Sequence, residues 1–274
     1  MPAGLDGAAI ALLLAVAVGA GVFGGVLAGL LGVGGGIVIV PALYLALSST
    51  HLGEGTAMQV SVATSLATIC LTAWSSSRAH ARRGAVDAAL LRRWSPWVVA
   101  GVVAGSLLGA VVDGRVMVGV FAVVAGLVAL NMLLGRGSPA PEPRQAPPAL
   151  WAASGLFAGG VSALMGIGGG TVCVPLLSYL GYDIRRAVGT SSALGLVIGL
   201  PATLVYVVTG LGAEGLPPFS LGYVNLVAVA VIAPFTTTFA RLAHAIPMRA
   251  LRALFGLFLA ATAARMAWDL LWPG

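Results

Sequence analysis

The sequence predicts an all-α polytopic membrane protein made of two inverted repeats, with about eight to ten membrane segments that include glycine-broken or re-entrant helices. Three observations lead to this prediction: a strongly apolar composition, ten apolar stretches along the chain, and a glycine-rich element that occurs twice. They are taken in turn below.

Composition excludes most soluble classes of protein. Hydrophobic residues make up 59% of the 274 residues, glycine contributes 39 more, and charged residues make up only 8%. Soluble domains carry about 25% charged residues, so these charges cannot cover a water-exposed surface of this size. A soluble enzyme, a disordered chain and a disulfide scaffold are therefore excluded, and lipid is the expected solvent.

The apolar stretches fall into two sets. The first set lies at about 8–31, 34–48, 56–77, 89–112 and 115–134, and the second at about 150–166, 168–180, 187–209, 222–240 and 250–271. A spanning helix needs about 20 apolar residues, so most stretches can cross a membrane. No basic residue precedes the first stretch, which predicts a membrane segment and not a cleaved signal peptide.

A proline-rich segment separates the two sets. Ser138–Pro148 has five prolines in eleven residues, which predicts an extended linker and not a helix. We therefore divide the chain into a first transmembrane repeat at 1–135, a cytoplasmic linker at 136–149 and a second transmembrane repeat at 150–274.

The two halves are related in sequence. Gly32–Pro41 reads GVGGGIVIVP and Gly166–Pro175 reads GIGGGTVCVP, at an offset of 134 residues. Further along, Met58–Ser65 is aligned with Val188–Gly195, which places Gln59–Val62 where the second half has Gly-Thr-Ser-Ser. The offset changes between these blocks, which indicates small insertions.

Arginine distribution predicts the orientation. All fourteen basic residues are arginine, and twelve of them fit one arrangement with loop 78–93 in the cytoplasm; only Arg115 and Arg265 fall towards the outer side. This arrangement inverts the second half relative to the first. It places both termini outside a bacterial inner membrane.

The doubled glycine run is the first candidate binding site. Three consecutive glycines should break a helix, and the helix that follows presents free N–H groups and a positive dipole end to an anion. The alternative interpretation is close helix packing by small residues. The candidate residues are Gly34, Gly35, Gly36, Gly168, Gly169, Gly170 and Thr171.

Polar side chains that follow the glycine runs form the second candidate. Their hydroxyl and amide groups could donate to the oxygens of a sulfite or sulfonate; alternatively, Ser and Thr bond back to their own helix carbonyls or join helices. The candidates are Gln59, Ser61, Thr64 and Ser65 in the first half and Thr190, Ser191 and Ser192 in the second.

Other classes of site have little support. The two cysteines and three histidines show no metal-ligand spacing, and no nucleophile–base constellation is visible, so we expect no metal, no cofactor and no enzyme activity. The arginines lie between apolar runs, which argues against nucleic acid as a partner. Asp87 and Asn225 occupy equivalent positions at helix starts, where N-capping is the expected role.

The chain resembles the sulfite exporter TauE/SafE family over about residues 8–271. The resemblance rests on the doubled GxGGGxxxxP element, on Gly189–Ser192 (GTSS) and on the run at Met248–Leu259. The resemblance implies a permease for sulfite, sulfoacetate or a related sulfur-containing anion. We expect alternating access, with the lipid bilayer and a small anionic substrate as partners and a homodimer as an open question. The alternatives are an anion channel, an uptake permease for another small organic anion, and a non-transporting assembly or sensor subunit.

Overall fold

In the computed structural model, the described residues are 7–31, 35–50, 55–134, 147–242 and 248–272. They form ten α-helices and one antiparallel pair of two-residue strands. The elements are α1 (Gly7–Leu31), α2 (Gly36–Ser49), α3 (Ala57–Arg82), α4 (Ala88–Val111), α5 (Gly114–Leu134), α6 (Pro148–Met165), α7 (Gly169–Tyr179), α8 (Ile184–Thr209), β1 (Ser220–Leu221), β2 (Val224–Asn225), α9 (Leu226–Leu242) and α10 (Met248–Leu271).

The all-α polytopic prediction is confirmed. Six helices (α3, α4, α5, α6, α8 and most of α10) are long and apolar enough to cross a membrane. Each half has five helices, with a short second helix that begins in the glycine run, and the second half adds β1 and β2 between its third and fourth helices. Helix α6 begins at Pro148, inside the predicted linker, because proline is compatible with the first turn of a helix. Residues 136–146 of the linker lie outside the described residues.

Corresponding helices of the two halves cross in opposite directions. Along the contact between α3 and α8, Cys70 lies against Gly199, whereas Ala73, further along α3, lies against the earlier residue Gly195. The α5–α10 contact has the same antiparallel order. An inverted second half predicts this arrangement, and we keep the inversion of the whole repeat as a proposal that these contacts support.

Glycine faces join α4 to α6. A Cβ on Gly101 would meet the carbonyl oxygen of Leu156, and a Cβ on Gly105 would lie 2.5 Å from that of Gly160. Real Cβ atoms essentially never lie within 3.0 Å of a heavy atom of another residue, so only glycine permits the observed separation of α4 and α6. This glycine stripe therefore serves close packing of the two helices.

The same kind of contact joins α1 to α9. A Cβ on Gly21 would lie 3.0 Å from the carbonyl oxygen of Ile232, and one on Gly25 would lie 2.7 Å from that of Thr236. The first helix of each half thus packs against the fourth helix of the other half. Each half therefore depends on the other to cover its first helix, and the α1–α9 contact has a small hydrophobic cluster of its own.

The short helices form helical hairpins that return to the face where they began. Trp151, near the start of α6, and Tyr182, just after α7, are 6.0 Å apart between ring centroids. Likewise Leu13 of α1 and Leu47, near the end of α2, line one cavity. The pairs α1–α2 and α6–α7 are therefore helical hairpins whose two ends lie on the same side of the bundle.

The connections between helices form two opposite faces of the bundle. On the arginine face, defined by connections 83–87 and 180–183 and the start of α6, Arg186 lies 3.7 Å from the Asp87 carboxylate and the Arg93 guanidinium lies 5.1 Å from the Trp151 ring centroid. On the strand face, defined by connections 112–113 and 210–225, the Thr56 hydroxyl donates to the Gly215 carbonyl at 3.3 Å. One helical hairpin enters from each face.

Candidate functional site

The tips of the two helical hairpins meet in the buried centre. Gly36 begins α2, and a Cβ at this position would contact the carbonyl oxygen of Gly166 and lie 2.8 Å from Ser65 Oγ. Ser65 Oγ donates to the same Gly166 carbonyl at 2.6 Å. Gly166 ends α6 with a φ of 65°, which favours glycine. Ser65 of α3 therefore lies against the first tip and donates a hydrogen bond to the second.

The second tip rests against α8. Gly169 begins α7, and a Cβ there would lie 2.8 Å from the carbonyl oxygen of Ser191. Gly168, Gly170 and Thr171 are buried beside it. The second glycine run therefore lies between its own hairpin and the serine-bearing stretch of α8.

Backbone geometry explains the glycine at the start of α2. Gly35 is the N-cap residue and has a φ of 60°, in the left-handed region that residues with a side chain rarely adopt. Gly34, the other candidate in this run, lies outside the described residues.

The electrostatics of the tips favour an anion. The described parts of the two motifs, Gly35–Pro41 and Gly166–Pro175, contain no charged side chain. The N–H groups of Val38 and Thr171 bond to the carbonyls of the N-cap residues Gly35 and Gly168, so the N–H groups that α2 and α7 can offer precede these two residues. Each helix N-terminus carries about half a positive charge. Within the described residues, no group of three or more His, Cys, Asp and Glu side chains could hold a metal ion.

The two threonine candidates support loops of the opposite half. Thr64 Oγ1 accepts from the backbone N–H of Asn225 at 3.0 Å, and Thr190 Oγ1 accepts from that of Asp87, also at 3.0 Å. Asp87 in turn caps α4, where its carboxylate accepts from two backbone N–H groups, and Asn225 caps α9 through the N–H of Ala228. The predicted N-capping roles are confirmed.

These matching contacts correct the sequence alignment at this point. Thr64 and Thr190 make equivalent bonds, so Val62–Ser65 (VATS) stands opposite Val188–Ser191 (VGTS). The alignment of Gln59–Val62 with the GTSS segment is therefore wrong. The offset between the halves is 126 residues here, whereas that alignment used 130.

Three candidates use their polar groups away from the tips. Ser61 Oγ donates to the Ala57 carbonyl at 2.7 Å, and Ser192 Oγ donates to the Val188 carbonyl at 2.9 Å, each within its own helix. Gln59 Nε2 donates to the Val112 carbonyl on the strand face. For the two serines, the alternative interpretation describes the observed bonds.

Ser191 differs from its counterpart Ser65. Its side chain is fully buried, yet Ser191 Oγ has no hydrogen-bond partner in the part of the chain that the structure describes. Burial of an unpaired hydroxyl is costly, so such a group calls for an explanation. Sequence reasoning selected Ser191 as one hydroxyl among seven polar residues and had no signal to distinguish it.

Replacement of Thr190 by valine should destabilise the fold by about 1 kcal/mol or more, because the Asp87 N–H loses its acceptor while the side-chain volume is kept. Thermal unfolding in detergent measures the effect. Thr209→Val is the matched control, since this exposed hydroxyl donates to a carbonyl of its own helix, that of Val205. Equal melting temperatures for the two variants would contradict the assigned role.

Similar proteins place this fold in a family. The sequence model described as sulfite exporter TauE/SafE matches residues 17–266. A "probable membrane transporter protein" of Haemophilus influenzae is 32% identical over 259 residues, which cover 93% of this chain and 97% of that protein. A protein of the same name from Xylella fastidiosa is 30% identical over 205 residues, which cover 70% of this chain and 74% of that protein. No solved structure matches significantly.

With ten helices in its described residues and a family match over most of its length, the chain belongs to the sulfite exporter TauE/SafE family of membrane transporters.

Proposed function

We propose that this transporter carries a small sulfur-containing anion, such as sulfite or an organosulfonate of the sulfoacetate type, by alternating access. The anion binds where the two hairpin tips meet, near the middle of the membrane. The first-turn N–H groups of α2 and α7 and the Ser191 hydroxyl donate to its oxygens.

The observation on which this proposal rests is the unpaired Ser191 hydroxyl beside the start of α7. Gly169 lies against the Ser191 backbone, and Ser191 Oγ is buried without a partner among the described residues. Sulfate-like groups bind readily at helix N-termini because they only accept hydrogen bonds. An oxyanion at this position would satisfy both the serine and the helix.

The two helical hairpins support alternating access. They enter from opposite faces, and their tips touch through Gly36, Ser65 and Gly166. Glycine-broken segments in corresponding positions of two repeats are typical of transporters with a site near the midplane. A rocking motion of one half against the other would expose this junction to each face in turn.

Purified protein in detergent should be stabilised selectively by its substrate. The panel is sulfite, sulfate, sulfoacetate, taurine, thiosulfate, acetate and chloride. A ligand present at about 100 times its dissociation constant should add roughly 2.7 kcal/mol to the free energy of unfolding.

A selective shift in melting temperature with one sulfur anion supports the proposed substrate class. Saturable exchange of that anion in liposomes would then separate a permease from a channel. No shift with any sulfur anion, together with a shift for acetate or chloride, would contradict the proposal.

We further propose that the chain lies in the bacterial inner membrane with the arginine face in the cytoplasm and both termini outside. The structure brings Arg93 and Arg186 to one face, as the positive-inside rule expects. In a background without native cysteines, Glu214→Cys should react with an impermeant maleimide on intact cells. Ala81→Cys should react only after the membrane is opened, and the reverse pattern would overturn the orientation.

A further inference from the structure

A cavity of about 150 Å³ lies between the first helical hairpin and the strand face. Helices α1, α2, α3 and α9 supply its walls, and the segment Pro217–Phe219 lies at its edge. Ala17, Leu43 and Leu47 are among the wall residues, whereas Thr64 and Asn225 are the two polar residues of its lining.

Both polar residues form hydrogen bonds within the protein. Thr64 Oγ1 accepts from the Asn225 N–H, and the Asn225 side chain donates to the Pro218 carbonyl at 2.9 Å and accepts from the Ala228 N–H at 2.9 Å. The lining therefore presents hydrocarbon to an occupant. An ion or a water molecule would find few partners there.

At the positions of the second half that correspond to two wall residues, the side chains are larger. Ala17 and Trp151 each precede the first glycine of their motif by 15 residues, and Ala228 and Leu90 each follow their helix cap by three residues. Trp151 and Leu90 are both buried, and Trp151 packs edge-on against Trp94 with ring centroids 6.0 Å apart. The first half therefore has two small residues, Ala17 and Ala228, where the second half has large buried ones.

We propose that this cavity is a binding site for an alkyl group of about six carbon atoms. Apolar cavities of about 150 Å³ stay dry and bind molecules of the size of benzene. The side chains of Leu14, Phe219 and Val227 at the lining are apolar and exposed, so an alkyl group can approach from the bilayer.

Two sources can supply this group: the acyl chain of a membrane lipid, or the hydrocarbon part of an organic anion on its way to the hairpin tips. The site itself is separate from the proposed anion site, because its lining is mainly apolar and includes neither Gly169 nor Ser191.

Titration calorimetry with 1-alkanols from ethanol to octanol tests the proposal. The protein is held in a steroid-based detergent, whose rigid rings supply no competing alkyl chain, and detergent blanks are subtracted. Each added methylene should lower the dissociation constant about fourfold, the factor that corresponds to about 0.8 kcal/mol per buried methylene. The gain should stop at about six carbons, when the cavity is full.

Two variants introduce into the cavity the residue types found at the corresponding positions of the second half. Ala17→Trp and Ala228→Leu should each remove the dependence of alkanol affinity on chain length. Val123→Trp, on an exposed position of α5, should retain it. If Ala17→Trp fails to fold, the smaller Ala228→Leu change decides. The proposal is overturned if the dissociation constant of the unmodified protein does not depend on alkanol chain length. It is also overturned if Ala17→Trp or Ala228→Leu folds and keeps the same dependence.

The source of the alkyl group follows from two further measurements. A phospholipid that native mass spectrometry finds on the unmodified protein and not on the filled variants indicates an acyl chain. The same chain-length dependence for n-alkanesulfonates, without a retained lipid, indicates an organic anion. Because 1-alkanols are neutral, their binding can be seen even if the sulfur-anion panel gives no shift.

Discussion

Gly36→Ala should reduce transport at least tenfold, an effect produced by one methyl group. The new Cβ would overlap the Gly166 carbonyl oxygen and lie 2.8 Å from both Ser65 Oγ and Ile69 Cδ1. The hairpin tips would have to separate and the Ser65–Gly166 hydrogen bond would lengthen. Overpacking of this kind costs about 1–3 kcal/mol. Anion flux into liposomes and thermal unfolding measure the two consequences.

Gly19→Ala is the matched control for this change. Gly19 lies within α1, and a Cβ there would have nothing within 4 Å. Alanine favours a helix by up to about 1 kcal/mol over glycine, so this variant should be as stable as the unmodified protein or more so. Normal transport by Gly36→Ala would show that the tips do not touch in the working protein.

Ser191→Ala should weaken anion binding by roughly tenfold to a hundredfold, because a hydrogen bond to a charged group contributes about 1.5–3 kcal/mol. Without anion, the variant should be at least as stable as the unmodified protein, since the change removes a buried hydroxyl that has no partner among the described residues. Melting temperatures with and without the best sulfur anion of the panel measure both effects.

The neighbouring serine provides the control. Ser192 Oγ donates to the carbonyl of Val188 in its own helix, so Ser192→Ala should leave the anion-dependent shift in place. Equal loss of the shift in both variants would mean that the region responds to any change. A bulky residue at Gly169 tests less, since its Cβ would already lie 2.8 Å from the Ser191 carbonyl oxygen and disturb packing by itself.

Local features of the fold were predictable from the sequence because they depend on local chemistry. The glycine runs predicted the breaks before α2 and α7, and the polar residues Asp87 and Asn225 predicted the caps of α4 and α9. Both signals act over a few residues. They therefore appear directly in the order of amino acids.

Contacts between the halves could not be predicted in the same way. Thr64 bonds to a residue 161 positions away and Thr190 to one 103 positions away, and a threonine in an apolar helix gives no sign of which distant N–H group it will meet. The unpaired state of Ser191 is likewise a property of its surroundings. Only the packed structure separates it from Ser192.

The packing of each half's first helix against the other half has a consequence for biosynthesis. The glycine face of α4 has its partner in α6, and that of α1 has its partner in α9, which the ribosome makes about two hundred residues later. The first half must therefore wait in the bilayer with both glycine faces uncovered until the second half inserts. We therefore expect the whole chain to fold as one unit. Two separately produced halves should function only when they are synthesised in the same cell.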